Sequence, residues 1–183
     1  LKLEFASQLV ATGFYPSAKE ISETMGVFEA VRRGLELSYS QKDIAVVVIG
    51  DGHCPRTATY FVHMTEWMVY SIDPALIRDW EVLLSKTAHL DRLRMLPQMI
   101  EECALEVADF STVVLVFVHS HASLAHSLQA LSLNKETRVH AVSMPCCQDD
   151  DLGIDPDFTI HDPAILTVMR AIHVYKDIHN SII

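Results

Sequence analysis

The chain has 183 residues, and 14 Lys and Arg stand against 24 Asp and Glu, a formal charge of −10 at pH 7. A net-negative surface without clustered cations repels nucleic acid and anionic lipid, so the charge disfavours a free nucleic-acid partner. Half the residues are hydrophobic and 21% are charged, too apolar for a disordered chain, and the length suits one core. We therefore expect a single domain over residues 1–183, with a helical extension over 1–40 and an α/β core over 41–183.

Cys54, Cys103, Cys146 and Cys147 lack the spacing of a disulfide framework, and adjacent cysteines rarely bridge each other. A reducing interior is expected, intracellular and cytoplasmic. The longest apolar run, Val113 to Val118, falls far short of the ~20 residues that cross a bilayer, and no basic-then-apolar leader opens the chain. The first residue is Leu1 rather than Met, as expected of a processed chain or a piece of a longer one.

In chain order, Ser17-Ala-Lys-Glu20 reads as a capping box and predicts a helix from about Ala18 to Tyr39, with Ile21, Met25, Phe28, Val31 and Leu35 at three- and four-residue steps. Ile44 to Ile49 is an unbroken, β-branched apolar run, the pattern of a strand buried on both faces. Trp67–Ile72, Leu90–Leu96, Val113–Val118 and Val139–Met144 read as further strands. Helices are expected over Thr57–Glu66, Leu76–Thr87, Gln98–Ala108 and Ala122–Leu133. This alternation is that of right-handed βαβ units. Phe158–His161 and Ala171–Ile178 alternate instead like an antiparallel pair.

In an open parallel sheet, ligands bind beyond the carboxyl ends of the strands where the strand order reverses. The first strand runs into Gly50-Asp51-Gly52, whose glycines allow a tight turn and close approach of a ligand. The second runs into Asp73, placed to accept hydrogen bonds from ribose hydroxyls. The distance from Gly50 to Asp73 is close to the ~20 residues between a glycine turn and its ribose acid in nucleotide-binding units. Asp73 also reads as a cap for the helix that follows, with Pro74 in its first turn.

Val46-Val-Val-Ile-Gly-Asp-Gly52, followed by Tyr70-Ser-Ile-Asp73, resembles the class I S-adenosylmethionine-dependent methyltransferase family. His119-Ser-His121 after the fourth strand and Met144-Pro-Cys-Cys147 after the fifth look like a divergent subgroup of it. The resemblance covers roughly Ile44 to the end. It implies a Rossmann-like fold with seven strands in the order 3-2-1-4-5-7-6, strand 7 antiparallel. It implies S-adenosylmethionine as cofactor, with Gly50 and Gly52 at the methionine end, Asp73 on the ribose, and Asp51 standing in for part of an acid's role. Two places depart from the family's first motif, where Val48 stands for the usual acid and Cys54 for a third glycine.

His119 and His121 sit where the methyl acceptor would lie and are the candidate catalytic residues, because imidazole titrates near neutrality. His53, Cys54, His119, His121, Cys146 and Cys147 also gather soft and borderline ligands near one strand end, but their spacing matches no zinc pattern, so no metal is assigned. Six aspartates between Asp149 and Asp162, with no Lys or Arg from Arg138 to Arg170, read as a solvated linker or as a surface for a basic protein partner. The expected function is methyl transfer to an unidentified acceptor. The alternative is a non-catalytic methyltransferase-like module in a structural or interaction role. A nicotinamide-dinucleotide enzyme is disfavoured, because the later glycines of that fingerprint are missing.

Overall fold

The computed structural model describes residues 13–77, 90–146 and 152–178. Helix α1 (Ala18–Gly34) starts at Ser17, whose hydroxyl accepts the Lys19 N–H and donates to the Glu20 carboxylate. It ends five residues before the expected boundary, where Leu35 N–H closes on Val31 O and Glu36 takes a left-handed backbone, φ 55°. The chain then enters β1 (Ile44–Ile49), α2 (Arg56–Met64), β2 (Met68–Ile72) and β3 (Leu93–Leu96). After these come β4 (Leu105–Glu106), β5 (Thr112–Val118), α3 (Leu124–Gln129), β6 (Leu131–Ser132), β7 (Arg138–Met144), β8 (Phe158–His161) and β9 (Ala171–Tyr175).

Seven strands form one sheet in the order β3-β2-β1-β5-β7-β9-β8, parallel from β3 to β7, with β9 antiparallel to both β7 and β8. With the two-residue strands left out of the count, this is the order and the antiparallel seventh strand implied by the sequence resemblance.

All six residues of β1 are buried, because the strand is covered on both faces. Val46 and Val48, with Val114, Val116, Val142 and Met144, face a layer built on Phe28, Phe61 and Trp67. Ala45, Val47 and Ile49, with Val113, Leu115 and Phe117, face the other way, against Ile100, Leu105, Leu124 and Leu131. Helix α1 comes close to its sheet face because Gly26 lies under Ile165 and Ile172, where a Cβ would stand 2.5 Å from Ile165 Cδ1. Arg92 donates to the carbonyls of Val62, Thr65 and Trp67. It thereby satisfies the Val62 carbonyl, left without a helical partner at the end of α2, and ties down the link from α2 to β2.

Two expected helices are replaced. Over Gln98–Ala108 the chain forms a single 3-10 turn, Ile100–Glu102, and then β4; over Ala122–Leu133 it forms the shorter α3 and then β6. The residues there have good helix propensity, but β4 and β6 pair in parallel and Leu105 N–H donates to Ala130 O, so backbone pairing over a buried face overrides propensity. Most of the expected Leu76–Thr87 helix, along with Cys147 and the Asp149–Asp151 run, lies outside the described residues. Among the described residues no helix is long and apolar enough to cross a membrane.

His140 on β7 fastens the β7–β9 joint, where its Nδ1 accepts the Asp177 N–H at 3.1 Å. That bond requires Nδ1 to be unprotonated, and burial pushes the imidazole below its ordinary pKa. The unfolded chain therefore takes up a proton that the folded chain refuses, and stability is lost as pH falls through the unfolded value of about 6.5. The thermal midpoint is expected to drop between about pH 7.5 and about pH 5.5, and to drop less in His140→Gln. Equal drops in the two proteins would rule out this role for His140.

Candidate functional site

β1 lies between β2 and β5, and the chain reaches those neighbours in opposite directions across the sheet, so the strand order reverses at β1. The turn after β1 is built by two left-handed glycines, Gly50 (φ 78°) and Gly52 (φ 80°). Gly50 N–H donates to Ile72 O, and a Cβ on Gly50 would stand 2.7 Å from Ser120 Oγ. Gly52 has more room, its nearest neighbour being Arg56 Nη2 at 3.4 Å.

Two carboxylates hold this turn from opposite sides. Asp51 is buried, and it accepts the N–H groups of Thr57 (2.9 Å) and Ala58 (3.1 Å) with its two oxygens, and Ser71 Oγ–H at 2.9 Å. Desolvation pushes its pKa upward, and the three donors oppose that shift. Its side chain thus occupies the start of α2 from within the protein. Asp73, half-buried at the end of β2, accepts Gly52 N–H at 2.9 Å through Oδ2 and Ala75 N–H at 2.7 Å through Oδ1. Each of these oxygens keeps a further lone pair for a hydroxyl donor.

A cavity opens on each side of the glycine turn. The larger, about 280 Å³, runs over Gly50 between Asp73, the Gln98–Ile100 segment after β3, and Ser120 and His121 after β5. The smaller, about 220 Å³, lies between α1 and the turn and is lined by Lys19, Glu23, Arg56 and His119.

His119 and His121 therefore fall into different cavities. His119 takes a left-handed backbone, φ 54°, uncommon for a residue with a side chain and a feature that concentrates at functional sites. Its Nε2 lies 2.9 Å from Glu23 Oε1, an ion-pair distance without the angles of a hydrogen bond. The Glu23 side chain is only 4% exposed and also meets Lys19 Nζ at 3.0 Å. His121 Nε2 lies 3.3 Å from Cys146 Sγ. Cys54 turns away into the core, and burial pushes its thiol up to about 11. Among the described residues no group of three or more His, Cys, Asp or Glu is arranged to hold a metal ion.

No family model matches the chain, and no curated protein matches it. Among solved structures, an RNA methyltransferase from Salinibacter ruber in complex with S-adenosyl-L-homocysteine superposes with a TM-score of 0.51 at 17% identity, over 81% of this chain and 90% of that one. Phosphoethanolamine N-methyltransferase 1 from Haemonchus contortus, in complex with phosphoethanolamine and S-adenosylhomocysteine, superposes with a TM-score of 0.50 at 11% identity, over 86% of this chain and 42% of that one. The fold is that of a Rossmann-like methyltransferase. This chain spans nearly all of the first relative and less than half of the second, and at such identities the likeness is one of fold.

Sequence reasoning did not find Glu23 or the Gln98–Ile100 wall. Glu23 reads as one more polar position on an amphipathic helix, and only the packing of α1 against the sheet brings it to the end of β5. The Gln98–Ile100 segment could have been found from its position after the third strand, had the helix expected there not absorbed it.

The glycines give a direct check on the turn. Gly52→Ala is expected to cost about 1 kcal/mol through backbone strain alone. Gly50→Ala should cost at least about 1 kcal/mol more, because its Cβ also overlaps Ser120. Chemical denaturation measures both, and equal costs would show that Ser120 does not press on Gly50.

Proposed function

We propose that the chain is an S-adenosylmethionine-dependent methyltransferase that holds its donor in the 280 Å³ cleft across the ends of β1, β2, β3 and β5. The observation that carries this reading is Asp73, a carboxylate at the switch point that lines that cleft and is held in place by the N–H groups of Gly52 and Ala75. The cleft is close to the lower limit, about 300 Å³, of small-molecule sites, and its lining suits the donor's parts. Asp73 is the partner for the ribose hydroxyls, Met99 and Ile100 are apolar contacts for the base, and the Gly50–Gly52 turn leads toward the methionine end.

The donor, when bound, supplies a methyl group on a positively charged sulfur. The protein's part is positioning and exclusion of water, since in-line approach of the nucleophile is the main requirement. Gly50 lets the backbone form the floor of the cleft together with Ser120, and Gly52 supplies the left-handed turn whose N–H holds Asp73. Asp51 acts from within the fold, locking the turn to α2 and to β2 through Ser71. His121 lines the cleft assigned to the donor and orients an acceptor approaching over it, whereas His119, held beside the buried Glu23, faces the smaller cavity across the turn and does not share the donor's cleft. The acceptor is unidentified, and the charge of −10 weighs against free nucleic acid.

A second reading, a non-catalytic methyltransferase-like module that binds a protein partner, draws on the same geometry. Ser120 stands against Gly50, and both Asp73 oxygens already accept a backbone N–H. Isothermal titration with S-adenosylmethionine and S-adenosylhomocysteine separates the two readings. The enzyme reading predicts micromolar affinity that weakens by about tenfold or more in Asp73→Ala, a loss of ~1.4 kcal/mol or more. No binding at millimolar ligand by the folded chain would favour the module.

A further inference from the structure

The parallel register of β5 and β7 pairs Val118 with Met144, and His119 N–H donates to Met144 O at 2.9 Å, so the two chains leave the sheet side by side. Two residues beyond these, on either chain, stand His121 and Cys146, with Sγ and Nε2 3.3 Å apart. Cys146 is the exposed thiol among the described cysteines; Cys54 and Cys103 are buried, and burial pushes both of their thiols upward. A thiol within reach of an imidazole can pass its proton across, and the resulting thiolate is the reactive nucleophile. His121 also lines the 280 Å³ cleft, so a group attached to Cys146 stands at the edge of that cleft.

We propose that Cys146 and His121 form a nucleophilic thiol–imidazole pair, a site of reversible modification by small-molecule disulfides that obstructs the neighbouring cleft. The Cys146 S–H proton moves to His121 Nε2, and the thiolate attacks one sulfur of the incoming disulfide. The bond between the two incoming sulfurs breaks as the new bond to Cys146 forms. The departing sulfur leaves as a thiolate and recovers a proton from the imidazolium or from water. No net oxidant is consumed beyond the disulfide itself, and a second thiol reverses the step.

The test uses the full chain carrying Cys147→Ser, so that Cys146 stands alone at this position, with 4,4′-dithiodipyridine as the probe and mass spectrometry to locate the label. At neutral pH Cys146 is expected to react first, about threefold or more faster than the same thiol in the denatured chain. His121→Gln, a change at an exposed side chain, should abolish that excess without moving the thermal midpoint. A Cys146 rate no faster than in the denatured chain, or one unchanged by His121→Gln, overturns the proposal. Obstruction of the cleft rests on the donor-site reading above, and labelled protein should bind S-adenosylhomocysteine about tenfold or more weakly than unlabelled protein. Equal affinity overturns the obstruction. If the unlabelled chain does not bind this ligand, the donor-site reading fails by itself, and the thiol rates still decide the reactive pair.

Discussion

The buried carboxylate of Asp51 is the interaction on which the site depends. It joins three pieces of chain that meet only at the top of the sheet: the turn after β1, the first residues of α2, and Ser71 on β2. A carboxylate taken out of water is costly unless it accepts hydrogen bonds, and here two backbone donors at a helix start, where the dipole favours negative charge, help to offset that cost. The arrangement also occupies the start of the helix, so the N-terminus of α2 is satisfied from inside the fold. Any ligand at this turn must be held by other groups.

Asp73 supplies the complementary constraint. Its bond to Gly52 N–H ties the far side of the same turn to β2, so the left-handed backbone of the glycines is held at both ends. Crevices then open on either side of the turn, one floored by Gly50 and Ser120, the other closed by α1. The division separates His119 from His121 and gives each a different partner, a buried glutamate for one and an exposed thiol for the other. The same parallel register of β5 and β7 that places these residues sets how far each loop extends over the sheet.

Much of the framework is legible in the sequence, because a parallel sheet covered on both faces leaves a strong signature. Ile44–Ile49 reads as a strand buried on both faces from its unbroken apolar run, Trp67–Ile72 and Val113–Val118 read as further strands, and the glycines and Asp73 follow from where the first two of these end. The segments Gln98–Ala108 and Ala122–Leu133 were not legible in the same way. Their residues favour helix locally, and the pairing of Leu105 with Leu131 that overrides this joins positions far apart in sequence. Asp51 could be singled out, but the direction of its side chain could not, since it depends on Ser71 and on the start of α2. Glu23 was hidden for a related reason: burial of a helix acid at a strand end is a product of packing, and periodicity carries no trace of it.

The central claim is that a methyl donor lies in the cleft beside Asp73, and amide NMR of the labelled chain during titration with S-adenosylhomocysteine tests it most directly. The account predicts saturable shifts concentrated at Gly50, Gly52, Ala75 and the Gln98–Ile100 segment, with the amides of β8 and β9 unmoved. Shifts confined to other surfaces, or a spectrum unchanged at millimolar ligand, would contradict it.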